Sequence, residues 1–153
     1  MTMRLKADGL EAVELSLDRF RQNMTQAQPT MDRMAVWVRT VVFAQTFENR
    51  GPAGSPWPAL SPRYAGWKAR VRPGAPIMVF DGDLRRSMTS PRGGVFEVSA
   101  TGFEVGTDVP YARYHQDGGG SLPRRPLIGD VTREQKRALV KMLQRDIVEG
   151  VAQ

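Results

Sequence analysis

Apolar positions recur along this chain with two periods, and the change between them predicts helices at both ends and extended chain in the middle. Met3, Leu5 and Ala7 alternate with Arg4 and Lys6, the period of a short strand. From Gly9 to about Asn23 the pattern becomes helical, with Leu10, Val13, Leu17 and Phe20 on one narrow face. A stronger helix runs from Thr30 to about Asn49, part of an N-terminal helical region spanning roughly 9–50. Met34, Trp37, Val38 and Val41 make one stripe in it, and Val36, Phe43 and Phe47 carry the apolar surface well round the cylinder. A helix apolar on more than one side is buried between layers or covered by a neighbouring subunit. Gly51 ends it.

Residues 51–62, GPAGSPWPALSP, hold four prolines and two glycines, which predicts a rigid irregular loop in which Trp57 must find cover for its ring. Ser61 or Pro62 starts a short helix bearing Tyr64, Trp67 and Lys68 that ends before Pro73. The central strands are placed within about 77–107, beginning with the apolar run Ile77 to Phe80. Asp81-Gly82 reads as a turn and Asp83 as the cap of a short helix carrying Leu84 and Met88. Val95 to Ala100 and Phe103 to Thr107, joined through Thr101-Gly102, form a hairpin with Phe96, Val98, Phe103 and Val105 as core candidates. In the loop 108–130, Tyr111 and Tyr114 flank a single helical turn stopped by Gly118, Gly119 and Gly120. A C-terminal helix spans 131–149, with Thr132 and Gln135 as a capping box and a stripe of Leu139, Met142, Leu143 and Ile147.

This order gives a single α+β domain over 1–153, with helices packed on a small antiparallel sheet. So small a sheet leaves edges exposed unless something covers them, and the ready cover is an adjacent copy of the same protein, as a ring-forming subunit or in a dimer. A chain of 153 residues is long enough to bury roughly 70% of its unfolded surface. An apolar fraction of 41% with 25% charged residues is that of a soluble globular protein, and no apolar run is long enough to span a bilayer. The N-terminus has charges scattered through it and no apolar core, so it does not read as a secretory signal, and cytoplasmic synthesis is the expectation. The lack of cysteine excludes disulfides and thiol catalysis, and the single histidine leaves little for a metal site.

The net charge of +6 is unevenly placed. Residues 51–100 hold seven basic residues (Arg63, Lys68, Arg70, Arg72, Arg85, Arg86 and Arg92) against three acids, while the segments on either side each carry an excess of one. Such a surplus suits phosphates, an acidic protein surface or plain solvent, and the field alone does not separate these. His115 near Asp117 has the chemistry of an acid-base pair, yet no nucleophile elbow accompanies it, and a hydrogen-bonding structural histidine is the simpler reading. Asp81 and Asp83 lack further oxygen ligands in sequence and fit a turn and a cap better than a cation site. Trp57 and Trp67 fit a local core and an interface equally well. Arg124 and Arg125, held between Pro123 and Pro126, fit subunit contact better than a plain connector. The glycines at 118–120 lack the following helix and lysine of a phosphate cradle. No catalytic, cofactor-binding or metal-binding set emerges.

Taken in order, the loop Gly54 to Ser61 with Trp57, the following Lys68, the turn Asp81-Gly82-Asp83-Leu84-Arg85-Arg86-Ser87, the strand end Val105-Gly106-Thr107, Tyr111 to Gln116 with Gly118, and Pro123 to Gly129 resemble the phage virion morphogenesis family of tail completion proteins over about residues 30 to 147. The chain departs from the family's pattern at Asp81-Gly82-Asp83 and in the density of prolines around Trp57. The resemblance implies a non-enzymatic component of the virion, made in the host cytoplasm, at the head-tail connector or neck, acting in tail completion and head-tail joining. It implies a homo-oligomeric ring, hexamer or dodecamer, that meets portal, adaptor or head-closure proteins on one side and the tail tube or tail terminator on the other. DNA would pass through without sequence-specific binding, and no membrane is involved. Partner contacts are assigned to Trp57, Tyr64, Trp67, Arg85, Tyr111, Tyr114, His115, Arg124 and Arg125. A capsid-assembly accessory and a small basic nucleic-acid-binding domain are the alternative readings.

Overall fold

A helical rod built from residues 28–48 organises the computed structural model, which describes residues 10–53, 55–119 and 122–150. The rod is α2 (Gln28–Trp37), a π-helical turn (Val38–Phe43) and α3 (Ala44–Glu48) in unbroken succession. Ala35, Arg39, Phe43 and Phe47, each four residues after the last, are all buried. In a regular α-helix every four-residue step overshoots a full turn by about 40°, so this stripe would wind off the face. The wider π turn offsets that drift and keeps the four positions on one side. The turn coincides with a run of β-branched residues, Val38, Thr40, Val41 and Val42, the type least favoured in a regular helix.

The other elements are placed around the rod. α1 (Leu10–Thr25) and α7 (Arg133–Glu149) pack together, and α7 also packs on α2. α4 (Pro62–Val71) follows the proline-rich loop, capped as expected by the Ser61 hydroxyl accepting from Tyr64 N. α5 (Asp83–Thr89) lies on the π turn and α3. β1 (Phe96–Val98) and β2 (Phe103–Val105) pair antiparallel with Phe96 opposite Val105, Glu97 opposite Glu104 and Val98 opposite Phe103. This hairpin rests on α2. α6 (Ala112–Asp117) is the predicted short helix, ended by Gly118 at φ 77°. The core gathers Phe43, Phe47, Trp57, Leu84, Met88, Ala112 and Leu127. The chain is thus α+β, with helices packed on a small two-stranded antiparallel sheet.

Several expectations change. The apolar run Ile77–Phe80 forms no strand: Val79 N donates to Pro76 O in a turn and Met78 takes a left-handed φ of 64°, which breaks the extended geometry. Asp83 does not cap α5; Gly82 occupies that position at φ 88°, and Asp83 pairs with Arg86. The hairpin strands are shorter than the alternation suggested, and Phe96, Val98, Phe103 and Val105 are half-buried, so they flank the core. The predicted strand Met3 to Ala7 lies outside the described residues. By contrast the Thr132–Gln135 capping box on α7 is present with both of its bonds, at 3.2 and 2.9 Å.

Two ionic groups that periodicity did not flag are buried in the frame. Asp146 on α7 accepts from Arg33 of α2 and from Arg145. Burial pushes its carboxyl up, but hydrogen bonds from Arg33, Thr30 and Arg145 and the Arg33 charge together outweigh burial and hold it below the usual range. Arg39, on the π turn, is 0% exposed. Its Nε donates to Ser90 O at 2.6 Å, one terminal nitrogen to Val95 O at 3.0 Å and Gly106 O at 2.9 Å, and the other to Ser87 O. One guanidinium thereby fastens the end of α5 and both feet of the hairpin to the rod. Gly94 completes the fit: it stands at φ 54°, and a Cβ there would lie 2.7 Å from Gly106 O and from the Ser87 hydroxyl.

Arg39→Met removes the side-chain donor of the Ser87 and Gly106 carbonyls and one of two donors to those of Ser90 and Val95, and is expected to lower unfolding free energy by about 3 kcal/mol, read from urea midpoints. Arg39→Lys is expected to recover less than half of that loss, because an ammonium cannot reproduce the guanidinium fork.

Candidate protein-protein interface

Side-chain hydrogen bonds in both directions fasten the proline-rich loop after α3 to the segment 122–128. Trp57, 5% exposed, donates Nε1–H to Pro126 O at 2.6 Å and sets its ring edge-on to Phe47, with centroids 5.7 Å apart. Arg125, also 5% exposed, donates from Nε to Pro58 O and from a terminal nitrogen to Ala59 O, both at 2.9 Å. α6 is tied to the same segment by Gln116, whose Oε1 accepts from Leu127 N and Ile128 N at 2.8 and 3.0 Å while its amide donates to Ile128 O at 2.8 Å. Lys68 on α4 turns inward to Pro76 O at 2.6 Å and anchors the connection to the next segment.

These ties leave an open groove of about 950 Å³ whose walls include Tyr64, Lys68, Phe80, Tyr111, His115 and Arg125. One lip is an exposed aromatic shelf. Tyr64 and Trp67 lie 5.4 Å apart, Trp67 stacks on Phe80 at 5.7 Å, and Arg72 covers the Phe80 ring at 4.9 Å. Opposite, Tyr111 meets His115 edge-on at 6.1 Å. Burial, and after it the Arg125 charge, hold the His115 imidazole below its ordinary value of 6.5, and its Nδ1 has no hydrogen-bond partner. Burial also lowers Lys68 and, against a smaller opposing influence from Tyr64, Arg125.

The residues assigned to partner contact therefore divide. Tyr64, Tyr111 and His115 line the groove and Trp67 extends its lip. Tyr114 is exposed on α6 with Arg113 stacked on its ring at 4.8 Å, and Arg124 is exposed with Nε bonded to Gln116 O. Arg85 is exposed on α5, beside Arg86 in a separate shallow hollow. Trp57 and Arg125 are interior: they join the walls of the groove from within, because the carbonyls of a proline-rich loop need donors that only long side chains supply. Phe80 and Leu122 were missed as groove residues, Phe80 because its apolar run read as a strand. Of the seven cations of the middle segment, Arg72 pairs with Asp81, Arg86 with Asp83 and Arg92 with Asp32, Lys68 is buried, and Arg63, Arg70 and Arg85 are exposed.

Among the described residues no cluster of three or more His, Cys, Asp or Glu side chains is arranged to hold a metal ion, and no helix is long and apolar enough to cross a membrane. Exposed Trp, Tyr and Arg around a groove are the composition enriched at protein interfaces. The chain belongs to the phage virion morphogenesis family, whose sequence pattern matches residues 8–147. Its role is accordingly that of a structural or morphogenesis protein of the phage particle. Neither a curated protein nor a solved structure matches the chain.

Arg125→Ala is expected to lower the thermal midpoint by several degrees through loss of the loop carbonyl donors, whereas Tyr111→Ala, at a position 46% exposed, is expected to leave it nearly unchanged; circular dichroism melts separate the two. The depressed His115 value gives stability that is complete above pH 6.5 and declines as pH falls below it. Urea midpoints taken from about pH 7.5 to about 5.5 are expected to fall, and His115→Gln to flatten that fall.

Proposed function

We propose that this chain is a ring-forming subunit of the phage neck that completes the tail and joins it to the head. Family membership supports the setting, and the observation that carries the reading is the braced groove with its aromatic lip, a rigid and partly apolar surface left open to partners. Copies pack side by side, one ring face meeting portal, adaptor or head-closure proteins and the other the tail tube or tail terminator. Many modest contacts act together because the ring fixes their geometry. DNA passes through the ring without base-specific contact. Tyr64, Trp67, Tyr111, Tyr114 and Arg124 act at the surface, while Trp57 and Arg125 hold that surface in shape.

Light scattering after size exclusion, across a concentration series and with short duplex DNA in a parallel run, is expected to give a discrete multi-subunit species whose mass DNA does not alter. A monomer that binds DNA with steep loss of affinity in salt would overturn the reading in favour of a nucleic-acid module.

A further inference from the structure

The outer edge of β2 is open among the described residues. Gly106 N donates to Val95 O at 3.0 Å and Ser99 N to Gly102 O at 2.8 Å, so the residues bonded to one another across the hairpin are Glu97 and Glu104. The N–H and C=O groups of Phe103 and Val105 therefore turn away from β1, and the described sheet has no third strand to meet them. Beside that edge lies a slot of about 330 Å³ between the π turn, β2, the segment 127–131 and the start of α7, with Val42, Phe103, Val105, Leu127 and Leu139 in its walls. A strand added there bonds to β2 and places alternate side chains in the slot. No residue of β1 lines it.

Charge selects the strand. Glu104 and Asp130 are the slot's only charged lining residues, Glu97 stands opposite Glu104, and the charges next to the lining in sequence, Glu48, Arg50, Arg133 and Glu134, cancel. The other hollows carry cations: Arg85 and Arg86 on α5, Lys141 and Arg145 with Glu149 between α2 and α7, and Arg113 with Glu104 between β2 and α6. The large groove mixes Lys68, His115 and Arg125 with Asp81 and Asp83. Three segments of the sequence alternate with period 2, namely β1, β2 and Met3 to Ala7. β1 or β2 of another copy would set Glu97 or Glu104 against Glu104, which is unfavourable. Met3, Leu5 and Ala7 instead alternate with Arg4 and Lys6, and Asp8 lies past the alternation. In that segment the apolar side chains match the face of Phe103 and Val105, and the cations flank Glu104 on the other face.

Geometry assigns the segment to another copy. Asn23 Nδ2 of α1 donates to Ile147 O at 2.9 Å, whereas the slot reaches α7 at Gln135 and Leu139, about 12 Å along that helix. Every residue from Val13 to Gln22 is exposed, as are Lys136, Arg137, Val140 and Lys141 of α7, so α1 does not lie back along α7 toward the slot. Leu10 stands about 20 Å from Asn23 along α1, and the chain from Leu10 to Leu5 spans at most about 18 Å. It is too short to return past Asn23 to its own slot.

We infer that residues 3–7 of one copy add as a strand to the outer edge of β2 in a neighbouring copy, with Met3 and Leu5 toward the slot. The contact is heterologous, so it repeats from copy to copy and closes into a ring where the rotation permits. It rests on the ring-forming reading and specifies one contact between its subunits.

The absence of native cysteine makes the contact directly testable in the full chain. Lys6→Cys protein and Glu104→Cys protein, mixed in equal amounts under mild oxidant, are expected to give the mixed disulfide several-fold over either homodimer. Glu104 is exposed, so the change does not disturb the core. Glu104→Lys, and separately Arg4→Glu combined with Lys6→Glu, are each expected to weaken self-association about tenfold with the circular dichroism spectrum retained. The protein carrying all three changes is expected to regain it, a recovery that a purely structural effect of either change would not give. An oligomer of unchanged mass in both charge variants, with no mixed disulfide, overturns the strand contact and leaves the ring reading standing. Self-association weakened by the Arg4→Glu, Lys6→Glu protein alone assigns the slot to a different occupant and also overturns it. A disulfide closed within single chains that carry both Lys6→Cys and Glu104→Cys overturns the contact between copies. A wild-type protein that stays monomeric at every concentration overturns both the contact and the ring reading.

Discussion

The Arg39 guanidinium is the interaction on which the arrangement of this chain depends. A two-stranded sheet of three-residue strands has little stability of its own, and α5 is a helix of two turns. Arg39 joins them by donating to the carbonyls of Ser87, Ser90, Val95 and Gly106 from the centre of the long rod. Burial lowers its pKa and the nearby Asp108 opposes that shift in part, yet a guanidinium remains charged, so the four carbonyl dipoles stand in for the water it has lost. The π turn that brings Arg39 inward, and the glycines that let the chain close over it, are parts of the same solution.

The same physics recurs at the surface. Prolines in the segments 52–62 and 73–76 remove backbone donors, so carbonyls there have no ladder to join. Arg125 satisfies those of Pro58 and Ala59, Lys68 that of Pro76, and the Trp57 indole that of Pro126. Long cationic and aromatic side chains thus take the place of secondary structure in an irregular region. The result is a loop cluster stiff enough to hold Tyr64, Trp67 and Phe80 as a stacked shelf. Such preorganisation reduces the entropy that binding to any surface would cost.

Much of this was legible along the chain. The Thr132–Gln135 box, the Ser61 cap and the glycine stop after α6 are local chemistry, decided within four residues, and the structure carries each of them. The hairpin and its same-face set Phe96, Val98, Phe103 and Val105 follow from period-2 alternation. The family was legible too, because an ordered series of short motifs survives without knowledge of contacts. Local reading failed where a residue's role lay far off in sequence. Phe80 looked like a strand residue until Met78 proved to sit in a left-handed turn, and Asp146 and Arg33 are 113 residues apart. Trp57 and Arg125 looked like interface residues because exposed loops and buried braces have the same composition.

By itself the sequence determined the α+β class, the positions of nearly every helix and the phage virion family, since these rest on periodicity, capping and short motifs. Only the tertiary structure decided which cations face solvent and which are consumed inside. That division depends on where carbonyls and carboxylates fall in space: Arg39, Lys68 and Arg125 are drawn in by carbonyls, and Arg72, Arg86 and Arg92 are matched by acids. Spacing along a chain specifies which face of an element a residue occupies, but what lies opposite that face is set by packing between elements distant in sequence.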